Sequence, residues 1–218
     1  MRSELVWSES ALAGWLIAAP LGEHTLDAAA IAGERPLEIE IGSGKGAFLL
    51  AAAQARPDTV FLGCELKKLH AHFVASRCAK RGLNNARAMQ VDGLRLLQTL
   101  LPAACAQAVH LYFPDPWWKR AHKKRKVYTP LFFAAAARVL RPDGLLHTAT
   151  DVPHVAAEID AAVNASGCFA ALPPPPLDAA APRSNFHEKA LQNGHVIERR
   201  LFRLDAARTA QTISPCPR

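Results

Sequence analysis

Asp115 stands between Pro114 and Pro116 and is followed by Trp117, Trp118 and a run of cations: Lys119, Arg120, Lys123, Lys124, Arg125 and Lys126. Proline fixes φ and gives no N–H to a strand ladder. The two prolines therefore stop the strand expected over Ala108–Phe113 and hold one carboxylate in a single orientation at its carboxyl end. Such a carboxylate can accept from both donors of a guanine Watson–Crick edge, N1–H and the exocyclic amine. The base then presents N7 on its opposite side. N7 already has a lone pair, so its alkylation by a sulfonium methyl group needs no strong general base. In-line placement of nucleophile and methyl would carry the rate. A base treated this way has to leave its stack. The tryptophans offer flat faces to a base or ribose, and one of the two serves equally well as a core anchor under the next helix.

Four further features belong at the same end of a parallel sheet, where ligands of doubly wound folds bind. Gly42, Gly44 and Gly46 follow Glu40 at the end of the first strand, and glycines let backbone approach a ligand closely. Glu65 closes the second strand and can accept from both hydroxyls of a ribose. Asp92 closes the third, where it can hold a nucleobase amine or simply cap the next helix. Asp115 lies just past the fourth. The glycine turn is only a fragment of a dinucleotide fingerprint and alone is a weak signal. A phosphate-binding P-loop requires Ser or Thr after its Gly-Lys; here Lys45 is followed by Gly46 and Ala47. A nicotinamide dinucleotide site shares the acid after the second strand and stays open on these residues, but it gives the basic run no task.

The elements that position these residues alternate. Strands are expected at Leu37–Ile41, Val60–Glu65, Ala86–Val91, Ala108–Phe113 and Leu145–Thr150. Helices are expected at Ala47–Ala55, Lys68–Arg81, Leu94–Leu101, Thr129–Leu140 and Val155–Asn164, with a turn at Arg141–Gly144. Such alternation gives an α/β fold, a Rossmann-like doubly wound, mostly parallel sheet. Val196–Leu204 reads as a late antiparallel edge strand. Residues 1–35 form an N-terminal extension in which Trp7, Leu12, Trp15 and Leu16 fit one side of a helix. Residues 36–205 form the main domain, and 206–218 a frayed tail.

Half of the 218 residues are hydrophobic, enough for one sizeable core. No long uncharged apolar run marks a membrane span. Cys64, Cys78, Cys105, Cys168 and Cys216 form no CxxC pair and read as buried apolar residues, with no metal site and a cytoplasmic location. The net charge is +7, yet outside Lys119–Lys126 the chain has 20 basic against 19 acidic residues. A neutral body with one basic patch fits a polyanion bound at one place.

At these residues the chain resembles the bacterial tRNA (guanine-N7-)-methyltransferases, over about Pro36 to Leu204. The segment PDPWWKRAHKKRK matches that family's signature. LEIEIGSGKG, the run Pro57–Glu65, Thr150-Asp151 and Gly194-His195 match further family segments. The resemblance implies a class I methyltransferase domain that uses S-adenosylmethionine to methylate guanine N7 in the variable loop of tRNA. It implies that Glu40, Gly42, Gly44, Gly46, Glu65, Asp92 and Asp115 surround the cofactor, with Asp115 also the active-site residue. Lys119 and Asp151 would contact substrate. The concentrated charge of the basic run itself puts Arg120, Lys123, Lys124 and Arg125 on phosphates, and the chain is expected to act as a monomer. Where the family has Thr-x-Phe/Tyr-Glu on the substrate side, this chain has Ser184-Asn185-Phe186-His187. Ser184 keeps the hydroxyl, and His187 replaces the acid beside Glu188. The other readings are a methyltransferase for another RNA base and a non-catalytic RNA-binding protein with the same fold.

Overall fold

The computed structural model describes residues 8, 10–22, 24–117, 126–174 and 182–205. Five parallel strands make the centre: β2 (Leu37–Ile41), β3 (Val60–Glu65), β4 (Ala86–Gln90), β5 (Ala106–Tyr112) and β6 (Leu140–Thr150). With β1 (Leu16–Ile17), β7 (Phe169–Leu172) and β8 (Glu198–Leu204) they form one sheet in the order β1-β4-β3-β2-β5-β6-β8-β7. The order reverses between β2 and β5, so the crevice of the fold lies beyond the ends of those two strands. β8 runs antiparallel to β6 and forms this edge of the sheet together with β7, which lies outside it.

The central strands are near-continuous apolar runs because both of their faces are covered. One face packs against α1 (Ala28–Ala32), the helical segment starting with α4 (Gly93–Arg95), α5 (Pro130–Val139) and α6 (Pro153–Ser166), around Ile39, Leu62, Met89, Val109, Phe132 and Leu146. The other face packs against α2 (Ala47–Ala55) and α3 (Lys68–Lys80) over β2, β3 and β4, around Leu49, Phe61, Val74 and Ala88. α7 (Asn185–Gln192) precedes β8. α4 runs on into a π-helical turn, Leu96–Leu100, closed by the Leu101 N–H on the Leu96 carbonyl at 3.0 Å. Among the described residues no helix is long and apolar enough to cross a membrane.

Two sequence expectations change. The turn at Arg141–Gly144 is a bulge within β6: Ala106 pairs with Leu140 but Ala108 with Leu145, and Asp143 adopts φ 61°. Leu12, Trp15 and Leu16 do not share a helix; Leu12 ends a 3-10 turn and Leu16 enters β1. Two bonds draw the chain out here: Trp15 Nε1–H donates to the Leu83 carbonyl at 2.7 Å, and the Trp15 carbonyl accepts from Ala88 at 2.7 Å. Trp7 lies outside the described residues, as do Trp118, Lys119, Arg120, Lys123, Lys124, Arg125 and the tail.

Candidate active site

The glycine turn leaves β2 at Gly42 and enters α2 at Ala47. Gly42 and Ser43 donate to the Cys64 carbonyl at 2.9 and 3.0 Å, and Arg77 Nη1 donates to the Lys45 carbonyl at 2.7 Å, so β3 and α3 fix the turn from below. Gly46 is the helix N-cap with φ 72°, and a Cβ there would lie 2.9 Å from Val74 Cγ2. Backbone conformation and packing thus both demand glycine.

Glu65 reaches this turn from β3. Its Oε2 accepts from Gly44 N–H at 2.9 Å and its Oε1 from Lys67 N–H at 3.0 Å. Asp92 caps α4, its Oδ1 accepting from Arg95 N–H at 3.0 Å, and it remains exposed. Glu40 is buried beneath the turn, and its Oε2 has no partner among the described residues. Burial, reinforced by Glu65 and opposed by the Leu49 amide, pushes its carboxyl up to about 8. Ser43 Oγ beside it is also buried and unpartnered. Two buried polar atoms without protein partners at a glycine turn suit contact with a polar ligand.

Past β5 the chain turns sharply. Phe113 adopts the left-handed conformation at φ 48° and donates to the Ala149 carbonyl at 2.7 Å. Such a conformation costs a bulky residue about 1–2 kcal/mol, and it directs Pro114 off the sheet. Asp115 follows, exposed between its prolines. Its charge adds to burial, the main cause, and to Glu158 in pushing the Tyr128 phenol up to about 12. Lys126, grouped by sequence with the phosphate-binding cations, is instead drawn onto Glu158 of α6, with Nζ 2.6 Å from Oε1. It ties the residue that ends the basic run to α6.

The substrate-side residues gather at the same edge. Asp151, after β6, pairs with His195, Oδ2 to Nδ1 at 3.2 Å. Ser184 caps α7, its Oγ accepting from His187 N–H at 3.1 Å. α7 then lays Phe186 and His187 against Phe113, with ring centroids 6.1 and 5.8 Å apart. The loop before Asp115 and the Ser184–His187 turn are therefore in contact, although some 70 residues separate them in sequence.

Sequence reasoning missed a polar chain on β2 and β5. Arg56 makes two bonds to Glu38, at 2.6 and 2.8 Å, Glu38 meets His110 Nε2 at 2.9 Å, and His110 Nδ1 meets the Tyr112 hydroxyl at 2.9 Å. Phe48 of α2 sits 4.8 Å from both the His110 and the Tyr112 rings. The glycine turn and the Asp115 loop are thereby tied together through one cluster. The signal was present as Ala108, His110 and Tyr112 at strand spacing.

This sheet order, with parallel central strands and helices on both faces, defines the Rossmann-like fold of class I methyltransferases. The fold is shared with the 16S rRNA methyltransferase KamB, at TM-score 0.61 and 15% identity over 83% of this chain and 94% of that one. A family model described as "Putative methyltransferase" matches residues 34–199. The tRNA (guanine-N(7)-)-methyltransferase of Methylococcus capsulatus is 38% identical over 65% of this chain and 61% of its own length. That of Paracidovorax citrulli is 36% identical over 82% of this chain and 73% of its own length. The chain belongs to the family of tRNA (guanine-N(7)-)-methyltransferases.

Proposed function

We propose that this protein transfers a methyl group to N7 of a guanine in tRNA, with S-adenosylmethionine as the donor, working in the cytoplasm. The observation that carries the reading is Asp115, held between two prolines and presented at the sheet edge that also bears the glycine turn, Glu40 and Glu65. The unpartnered Glu40 and Ser43 atoms fit a polar, cationic ligand. Glu40, Gly42, Gly44 and Gly46 would hold its amino-acid part, Glu65 its ribose, and Asp92 and Asp115 would border it. When bound, the cofactor supplies an electrophilic methyl on sulfur.

The chain's own contribution is placement. Asp115 accepts from the Watson–Crick edge of the extruded guanine and turns N7 toward the methyl donor; no residue has to remove a proton before attack. Ser184, His187 and Asp151 border the substrate side, and Lys119, Arg120, Lys123, Lys124 and Arg125 meet phosphates. The test is incubation of the purified protein with S-adenosylmethionine and unmodified tRNA, followed by nucleoside mass spectrometry. 7-Methylguanosine is expected. Methylated adenosine or cytidine would sink the guanine assignment, and binding without turnover would favour a non-catalytic RNA-binding protein.

A further inference from the structure

On the face of the sheet covered by α2 and α3, the part formed by β5, β6 and β8 is open. It holds a cavity of about 230 Å³, floored by His110, Tyr112 and His147 and flanked by Phe48 on one side and Ser184 and His187 on the other, with Arg56 and Arg199 at its rim. This volume is below the roughly 300–1,000 Å³ of sites for drug-sized ligands, so it suits one compact group.

The hydrogen-bonding capacity of the walls defines that group. Glu38 is the carboxylate that lines the cavity, and it already takes two bonds from Arg56 and one from His110. Burial opposes its charge, but His110 and Arg56 overcome this and hold its pKa at about 2. An ionised Glu38 can only accept, so His110 donates to it from Nε2 and spends Nδ1 on the Tyr112 hydroxyl. The Glu38 carboxylate is thus engaged by the donors around it. Donors remain. His187 is only 7% exposed and its Nε2 has no partner among the described residues. The Ser184 oxygen accepts from the His187 amide, leaving its hydroxyl proton to be given. His147 stacks on His110 at 4.8 Å and lines the cavity. Burial first, then neighbouring charges, pushes the His147 and His187 imidazoles down, so both are neutral with one ring N–H each to give, and Arg199 acts on both as a cation. Donors, a cationic rim and a carboxylate already paired with Arg56 and His110 suit an anion with several acceptor oxygens.

We propose that this cavity is a phosphate site. Resting on the reading that the protein methylates tRNA, the phosphate belongs to the RNA backbone near the extruded guanine. His187 meets the Phe113 ring at 5.8 Å, and Phe113 leads into Asp115, so a phosphate seated here borders the loop that orients the base.

Sulfate is the probe, compared with chloride at equal ionic strength. The full chain should bind sulfate in saturable fashion by calorimetry. Arg199→Gln should weaken sulfate at least tenfold, and Arg199→Lys should recover most of it, which separates charge from folding. Arg199→Gln should also lower the slope of log K against log salt for tRNA by about 0.7–0.9, with S-adenosylmethionine binding unchanged. Sulfate no better than chloride, or full sulfate affinity in Arg199→Gln, overturns the site. Lost sulfate binding with an unchanged tRNA slope keeps the phosphate site and overturns its assignment to RNA in favour of a free phosphoryl ligand. Sulfate binding as expected in a protein that methylates no tRNA overturns the functional reading alone.

Discussion

Glu40 and Asp115 are both carboxylates at one sheet edge, yet their surroundings give them opposite tasks. Asp115 is exposed and available to a base. Asp115→Ala should abolish methyl transfer while changing tRNA affinity only slightly, because phosphate contacts supply most of the binding; a single-turnover assay beside a filter-binding curve tells the two apart. Glu40 is buried with an unpartnered oxygen, and burial raises its pKa from 4.5 to about 8. Between those two values the folded state holds a proton that the unfolded state has released. Stability attributable to Glu40 therefore falls as pH rises from 4.5 to 8, and levels off above 8. Glu40→Gln cannot ionise. Without cofactor, its melting temperature should gain on the wild type steadily from about pH 5 to about pH 8.5, and parallel curves would disprove the assignment. A cationic ligand beside Glu40 favours the ionised carboxylate, so S-adenosylmethionine should release a proton from the wild type near neutral pH and none from Glu40→Gln. Calorimetry in two buffers of different ionisation heat measures this.

Elements differ in how plainly the sequence announces them. Leu37–Ile41 and Val60–Glu65 were legible to the residue because both faces are buried and turn residues bound them. β1 has only two residues, and it exists because the β4 edge offers Ala88 a partner in the Trp15 carbonyl. That is a tertiary cause without local pattern. β7 is short as well, and the prolines that follow it hid it. The site divides the same way. Glu40, Glu65 and Asp115 could be placed because each stands at or near the end of a strand. The Arg56–Glu38–His110–Tyr112 chain could not, because the β2–β5 neighbour relation that creates it is a matter of sheet order. The glycine turn carries a prediction at this scale. Gly46→Ala forces a left-handed alanine, at about 1–2 kcal/mol, and drives its Cβ to 2.9 Å from Val74. Melting temperature and S-adenosylmethionine affinity should both fall. Adding Val74→Ala should relieve the clash and leave the conformational cost, so recovery should be partial; full recovery would mean that φ at this position is not limiting.

At the scale of the molecule, a nearly neutral body carries a net charge of +7 through one loop, and the structure sets one cation of that loop apart. Lys126 lies on Glu158, its side chain 15% exposed, and lowers the Glu158 carboxyl pKa by hydrogen bonding. A lysine already paired with an acid does not neutralise a phosphate, so it displaces few of the counterions condensed on the RNA. Lys123, Lys124 and Arg125 have the charge that phosphates need. Changing each of these three to Gln should lower the tRNA salt slope by roughly 0.7–0.9 for every phosphate left without its cation, and weaken binding most at low salt. Lys126→Gln should leave the slope within error of wild type. It should cost at most about 1 kcal/mol of stability, the usual worth of a partly exposed pair. Titrating tRNA binding from low to high salt for both variants makes the comparison, with melting temperatures alongside. Equal slope changes per residue would show that Lys126 leaves Glu158 to meet the RNA. A larger change at Lys126 than at its neighbours would place the RNA over α6 rather than over the loop, and would move the binding surface away from Asp115.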